Sequence, residues 1–126
     1  MGRGEYPLIV MHDPTIDRTT NGWGYVDDLM VADLGRLKRR DGTGGAAAEM
    51  TPHPVTTLCA YFRAAKNKVM INLELKPSET ANFETLLHKS LQIATEEGVL
   101  DHIILKVPDR NNHGKVSRDH ILSKLA

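Results

Sequence analysis

Val69-Met70-Ile71-Asn72-Leu73-Glu74-Leu75-Lys76 is the stretch whose reading decides the fold. Successive side chains of a strand point to opposite faces, so Ile71, Leu73 and Leu75 share one face while Asn72, Glu74 and Lys76 share the other. Taken alone, such alternation describes a half-solvated edge strand. Its neighbours change that reading. Residues 57–66 read as a helix with Leu58, Tyr61, Phe62 and Ala65 on one side. From Phe83 onward, Leu86, Leu87, Leu91 and Ala94 recur at helical spacing, with Thr80 or Asn82 placed to cap the start and Gly98 to end it. Two further apolar runs read as strands, Leu8-Ile9-Val10-Met11 and Ile103-Ile104-Leu105-Lys106-Val107. Ser117 is placed to cap a last helix carrying Ile121, Leu122 and Leu125. Alternation of strand and helix implies parallel pairing and an α/β class, here about three parallel strands with flanking helices.

Composition narrows the function classes. The chain has 126 residues, 40% hydrophobic and 25% charged, which is the profile of a globular segment of one domain at most. Lys and Arg number 16 and Asp and Glu 16, so no net positive field gathers nucleic acid or anionic lipid. The single cysteine, Cys59, excludes an internal disulfide and reads as a small buried apolar residue. No apolar run approaches the ~20 residues that span a bilayer. The opening Met1-Gly2-Arg3-Gly4-Glu5-Tyr6-Pro7 lacks the order of a signal peptide, and Tyr6 stands where a myristoylation start has Ser or Thr. None of these features assigns a compartment.

The chemistry-bearing residues gather at strand ends. In parallel α/β architectures ligands sit at the C-terminal ends of the strands, and Glu74 and Lys76 lie at that end of their run. The first run finishes in His12-Asp13, and the third carries Lys106 near its end. A carboxylate holds a hard cation, lysine answers phosphate charge, and histidine moves protons near neutral pH. Such a rim suits a metal ion and a phosphate ester, with Lys106 as a substrate-binding group. Between the first two runs lie the turn-rich Asp17-Arg18-Thr19-Thr20-Asn21-Gly22-Trp23-Gly24 and, after a short helix around Leu34 and Leu37, the linker Asp41-Gly42-Thr43-Gly44-Gly45.

The string Met11-His12-Asp13-Pro14-Thr15-Ile16-Asp17-Arg18-Thr19-Thr20-Asn21-Gly22-Trp23-Gly24-Tyr25-Val26, with Asp28-Leu29 and Asn72-Leu73-Glu74-Leu75-Lys76, closely resembles the glycerophosphodiester phosphodiesterase family. The resemblance extends through Tyr61-Phe62-Arg63-Ala64-Ala65-Lys66 to the run holding Lys106 and so covers most of the chain, 1–126 being a partial domain of that type. It implies a TIM (β/α)8 barrel in which two histidines act as general acid and base around a divalent ion, Ca2+ or Mg2+. His12 matches the second histidine, Glu74 one of three carboxylate metal ligands, and Lys76 the family's lysine near the phosphate. The implied substrate is a glycerophosphodiester, cleaved to glycerol phosphate and an alcohol.

The family pattern also has a strand ending in His-Arg and a Glu-x-Asp pair ahead of the His-Asp motif, and neither stands before His12 here. Cys59 and Ala60 replace usual acidic residues, and Met30 stands where a capping Thr is expected. A closed barrel takes eight units and ~250 residues. The expectation is a barrel segment inactive alone, prone to self-association through open sheet edges. The alternative is a non-catalytic, truncated or degenerate segment that binds phosphate or a subunit. A related barrel phospholipase acting on inositol lipids or sphingomyelin is disfavoured by the 17–22 string.

Two weaker patterns are set aside. Gly42-Thr43-Gly44-Gly45 imitates a dinucleotide-binding loop, but Leu37-Lys38-Arg39-Arg40 before it reads as no buried strand. Asp109-Arg110-Asn111-Asn112-His113-Gly114 imitates a calcium loop, but His120 stands where the bidentate Glu belongs. His88 and His102 read as solvated surface.

Overall fold

The structure, a computed structural model, describes residues 7–41 and 47–106. The glycines of the linker, Val107, the 109–114 turn and the helix expected after Ser117 lie outside the described residues. The chain divides into two compact units, Met1–Leu58 and Cys59–Ala126.

The first unit is organised by its turn. Ile16, Leu37 and Val55 form a small core against which Ile9, Met11, Val26 and Leu29 pack. The chain leaves and re-enters this core because the Ile16 N–H donates to the Gly24 carbonyl, 2.9 Å, and Thr15 bridges Tyr25. Within the loop the buried Thr20 hydroxyl donates to the Ile16 carbonyl and accepts from the Gly22 N–H, and the Asp17 carboxylate accepts from the Gly24 N–H. These are the local side-chain bonds that make Asp, Asn and Thr turn formers. Gly22 is required for a different reason: a Cβ there would lie 2.5 Å from Leu37 Cδ2 and 2.8 Å from Ile16 Cδ1. Gly24 sits at φ 104°, a conformation glycine adopts without strain. After a 3-10 turn over Val26–Asp28, helix α1 covers Val31–Leu34. Met30 brings no capping oxygen, yet the Asp33 carboxylate still accepts the Met30 N–H at 2.9 Å, leaving half of a capping box.

Strand β1 (Lys38–Arg40) pairs antiparallel with β2 (Met50–Pro54), Lys38 opposite Pro54 and Arg40 opposite Met50. Residues 38–40 thus form a strand, but not a buried one of the kind a dinucleotide-binding loop would follow. Its backbone is fixed on the other side as well. The Arg40 N–H donates to the Thr19 carbonyl, the Asn21 N–H to the Lys38 carbonyl, and the Lys38 N–H to the Asn21 side chain. Pro52 and Pro54 keep β2 short, since neither can donate to a ladder.

The run at 8–11 is a correction: among the described residues it forms no strand of a parallel sheet. Ile9 makes a single antiparallel bridge to Thr57, with the Val10 N–H donating to the Thr56 carbonyl and the Leu58 N–H to the Leu8 carbonyl. That edge of the run is thus taken by the segment entering the next helix, and the expected sheet of three parallel strands is, among the described residues, a sheet of two.

The second unit follows the sequence periodicity closely. Helix α2 (Leu58–Ala65) buries Leu58, Phe62 and Ala65, the positions one helical face brings together, whereas Tyr61, expected with them, is exposed. Asn67, at φ 62°, turns the chain after it. Strand β3 (Ile71–Glu74) pairs parallel with β4 (Ile103–Lys106) in the register Ile71 to Ile103 and Glu74 to Lys106. Helix α3 (Phe83–Glu97) connects them. Asn82, not Thr80, caps it by accepting from the Thr85 N–H at 2.9 Å, and Gly98 closes it in the left-handed region at φ 73°. Ile71 and Leu75 are buried and Leu73 half-buried, while Asn72, Glu74 and Lys76 are exposed, as the alternation requires. Leu75, Phe83 and Leu87 form the core, with Leu73, Leu86, Leu91 and Leu105 packed against it. His88 and His102 are exposed. No helix among the described residues is long and apolar enough to cross a membrane.

Candidate functional site

In the first unit, His12 stands at the end of the 8–11 run on an exposed ring, 76% accessible, with its Nδ1 2.7 Å from Asp13 Oδ1. Asp13 is held from the other side by Arg18, whose Nε donates to Oδ2 at 2.7 Å and Nη2 to Oδ1 at 3.0 Å. The fork of the Arg18 guanidinium, and after it the His12 bond, keep the Asp13 carboxyl well below the usual carboxylate range. An ionised carboxylate can only accept, so the hydrogen on that bond belongs to His12 Nδ1. In the neutral imidazole the lone pair then sits on Nε2, the form a general base needs. Arg18 to Asp13 to His12 is therefore a chain of hydrogen bonds that sets a tautomer.

In the second unit, Glu74 and Lys106 meet at the C-terminal ends of β3 and β4 because the parallel register places them opposite each other, Lys106 Nζ 3.8 Å from Glu74 Oε1. Both side chains are about half exposed or more, on the face that α3 does not cover. Lys76 follows Glu74 by two residues, past the end of the strand, and is exposed. The structure thus brings together Glu74 and Lys106, while His12 belongs to the other unit.

The donor set can be weighed against a divalent ion. Calcium and magnesium take about six or more oxygens, several from protein. Among the described residues no group of three or more His, Cys, Asp and Glu side chains is placed to hold a metal. Glu74, beside an ammonium group, is a single oxygen donor, so these residues do not by themselves fit the ion.

One cluster elsewhere in the second unit has a different character. Arg63 grips Glu97 with Nε to Oε1 at 2.8 Å and Nη2 to Oε2 at 3.2 Å, and the Cys59 thiol donates to Oε2 at 3.4 Å. Burial first, and the carboxylate second, push the Cys59 thiol up, which makes it a poor nucleophile. Cys59, expected as a buried apolar residue, is half-buried and polar-bonded, and the cluster ties α2 to α3.

The model of the glycerophosphoryl diester phosphodiesterase family matches residues 7–117. The chain belongs to that family. A glycerophosphodiester phosphodiesterase of Caldanaerobacter subterraneus subsp. tengcongensis is 33% identical over 70 residues, 55% of this chain and 28% of that protein. One of Bacillus subtilis is 60% identical over 30 residues, 24% of this chain and 10% of the other. Among solved structures, the glycerophosphodiester phosphodiesterase of Agrobacterium tumefaciens shares the fold with a TM-score of 0.63 at 24% identity, over 80% of this chain and 39% of that one. The enzyme of Parabacteroides distasonis gives 0.61 at 22% identity, over 79% and 31%. The chain spans well under half the length of these relatives.

Within this family member, His12, Glu74, Lys76 and Lys106 all fall inside the matched residues. Sequence reasoning gave Arg18 no role, although it lies five residues beyond Asp13 in the quoted motif. Only the folded turn shows that this spacing returns the guanidinium to the carboxylate.

Proposed function

We propose that this chain is part of a (β/α)8-barrel phosphodiesterase that hydrolyses glycerophosphodiesters to glycerol phosphate and an alcohol. The observation that carries the reading is the placement of Glu74 beside Lys106 at the C-terminal end of a parallel strand pair, on the face its helix leaves open. That is the end at which barrel enzymes keep their chemistry. His12, with its tautomer set by Asp13, is the proton-transferring group. Lys76 and Lys106 answer the phosphate charge, as ammonium groups do with anionic esters. Glu74 would offer a carboxylate oxygen to a Ca2+ or Mg2+ ion whose other ligands are not among the described residues, and such an ion would supply positive charge opposite the phosphate.

The 126-residue chain by itself is proposed to be inactive, because one histidine and one carboxylate of the implied set cannot both order a metal and neutralise the transition state. The outer edges of β3 and β4, which pair with no further strand among the described residues, are proposed to associate with other copies. Purified with calcium or magnesium, it is expected to leave glycerophosphocholine intact. Turnover abolished by His12→Ala would overturn the proposed inactivity. The catalytic roles are tested by grafting residues 7–117 onto the corresponding segment of the Caldanaerobacter relative. The chimera is expected to hydrolyse a glycerophosphodiester and to lose roughly 10²–10⁴-fold in kcat on His12→Ala. A fully active His12→Ala chimera would remove His12 from the reaction.

A further inference from the structure

The first unit holds a cavity of about 280 Å³ whose wall includes His12, Thr19, Arg39, Arg40, Met11 and Val55. Among the described residues no Asp or Glu lines it. Its two arginines differ in occupation. Arg40 is committed to the backbone, donating from Nε to the Thr20 carbonyl at 3.0 Å and from Nη1 to the Ala48 carbonyl at 3.2 Å. Arg39 is exposed, and among the described residues its guanidinium has no hydrogen-bond or ion-pair partner. Its backbone, by contrast, is fixed, by the bridge to Thr20 and by the Thr51 hydroxyl donating to its carbonyl at 2.9 Å. A cationic fork with a fixed base, in a cavity whose described wall holds no carboxylate and includes the candidate proton-transferring histidine, has the chemistry of an oxyanion site. The apolar parts of Met11 and Val55 give the cavity a wall for a short carbon chain.

We propose that this cavity is a phosphate-binding subsite in which the Arg39 guanidinium takes the anionic group of an organic phosphate, His12 forming the neighbouring wall. The choice of phosphate among oxyanions rests on the phosphodiester reading. The fork of Arg39 binds two phosphate oxygens in parallel, which a lysine at this position does not reproduce. Arg36 supplies the control, an exposed arginine of the same unit paired with Asp33 outside the cavity wall.

Equilibrium dialysis of inorganic phosphate against the full chain, with folding of each variant checked by circular dichroism, tests the site. Phosphate binding is expected to weaken about tenfold or more in Arg39→Gln, the loss of a charge-assisted bond. Arg39→Lys should retain part of it and Arg36→Gln, which removes the same charge, all of it. Equal weakening in Arg36→Gln and Arg39→Gln would show a diffuse field and overturn the proposal. So would an absence of phosphate binding. Binding that responds only to Lys76→Gln or Lys106→Gln would leave the family reading standing and remove this subsite. An inactive chimera with Arg39-dependent phosphate binding intact would do the reverse.

Discussion

In the first unit Asp17, Thr20 and Asn21 turn their side-chain oxygens onto backbone N–H groups, and the strands present run to five residues at most. In the second, Asn82 makes such a bond at the head of a fifteen-residue helix and Ser78 one to the Ala81 N–H, while much of the described backbone is satisfied by helix turns and a parallel ladder. The first unit is held by particular atoms at particular positions, the second by repeated patterns of apolar side chains. The consequence is a different tolerance: a patterned core loses stability in proportion to the volume removed, whereas a turn held by single bonds fails at one residue and leaves its neighbours intact.

The largest test falls on the patterned side. Leu87 is fully buried between α3 and β3, so Leu87→Ala should cost about 2–5 kcal/mol, read from the urea midpoint. A cost below 1 kcal/mol, on the order of a surface change, would mean that this core is not the one that holds the unit. Next comes Gly22→Ala. The added methyl meets Leu37 and Ile16 at sub-van der Waals separation, and overpacking of this kind costs about 1–3 kcal/mol. The amides of residues 16–24 should lose hydrogen-exchange protection while those of β3 keep theirs. Loss in both units alike would break the comparison.

Smaller effects sharpen it. Asn82→Ala removes the cap of α3 and should cost about 1 kcal/mol, with fraying confined to the first turn of the helix. The smallest concerns Asp13, and its direction follows from linkage. Its folded carboxyl titrates below the unfolded value of ~3.9, so its stabilising effect is complete above that pH and is lost only as pH falls through the lower, folded value. The Asp13 carboxyl carbon resonance should therefore keep its ionised position at pH ~3.9, where an unpaired aspartate is half protonated. Arg18→Gln should return the titration toward that ordinary value. An unchanged titration in Arg18→Gln would show that the guanidinium does not hold the carboxylate.

How much of this was legible beforehand differs between the units for the same reason. Ile71, Leu73 and Leu75 against Asn72, Glu74 and Lys76 is a period-two pattern, and the leucines of α3 follow the helical period, so faces and burial could be read directly. The motif 11–26 could be matched to a family, but not built, because its shape depends on which oxygen reaches which N–H. Tyr61 went to solvent while Phe62 went inside because a helix face a single residue wide separates them. The run at 8–11 has strand composition, yet its partner is Thr57, whose approach no local pattern announces.

By itself, then, the sequence determined the α/β class, the faces of β3 and α3, and the family, since periodicity and a long motif are one-dimensional properties. Tertiary structure alone decided that Arg18 clamps Asp13, that Glu74 faces Lys106, and that Arg39 shares a cavity with His12. The last two join residues from separate stretches of chain and the first needs the folded turn between its partners, and such distances are set only when the backbone between them has folded and its hydrogen-bond register is fixed.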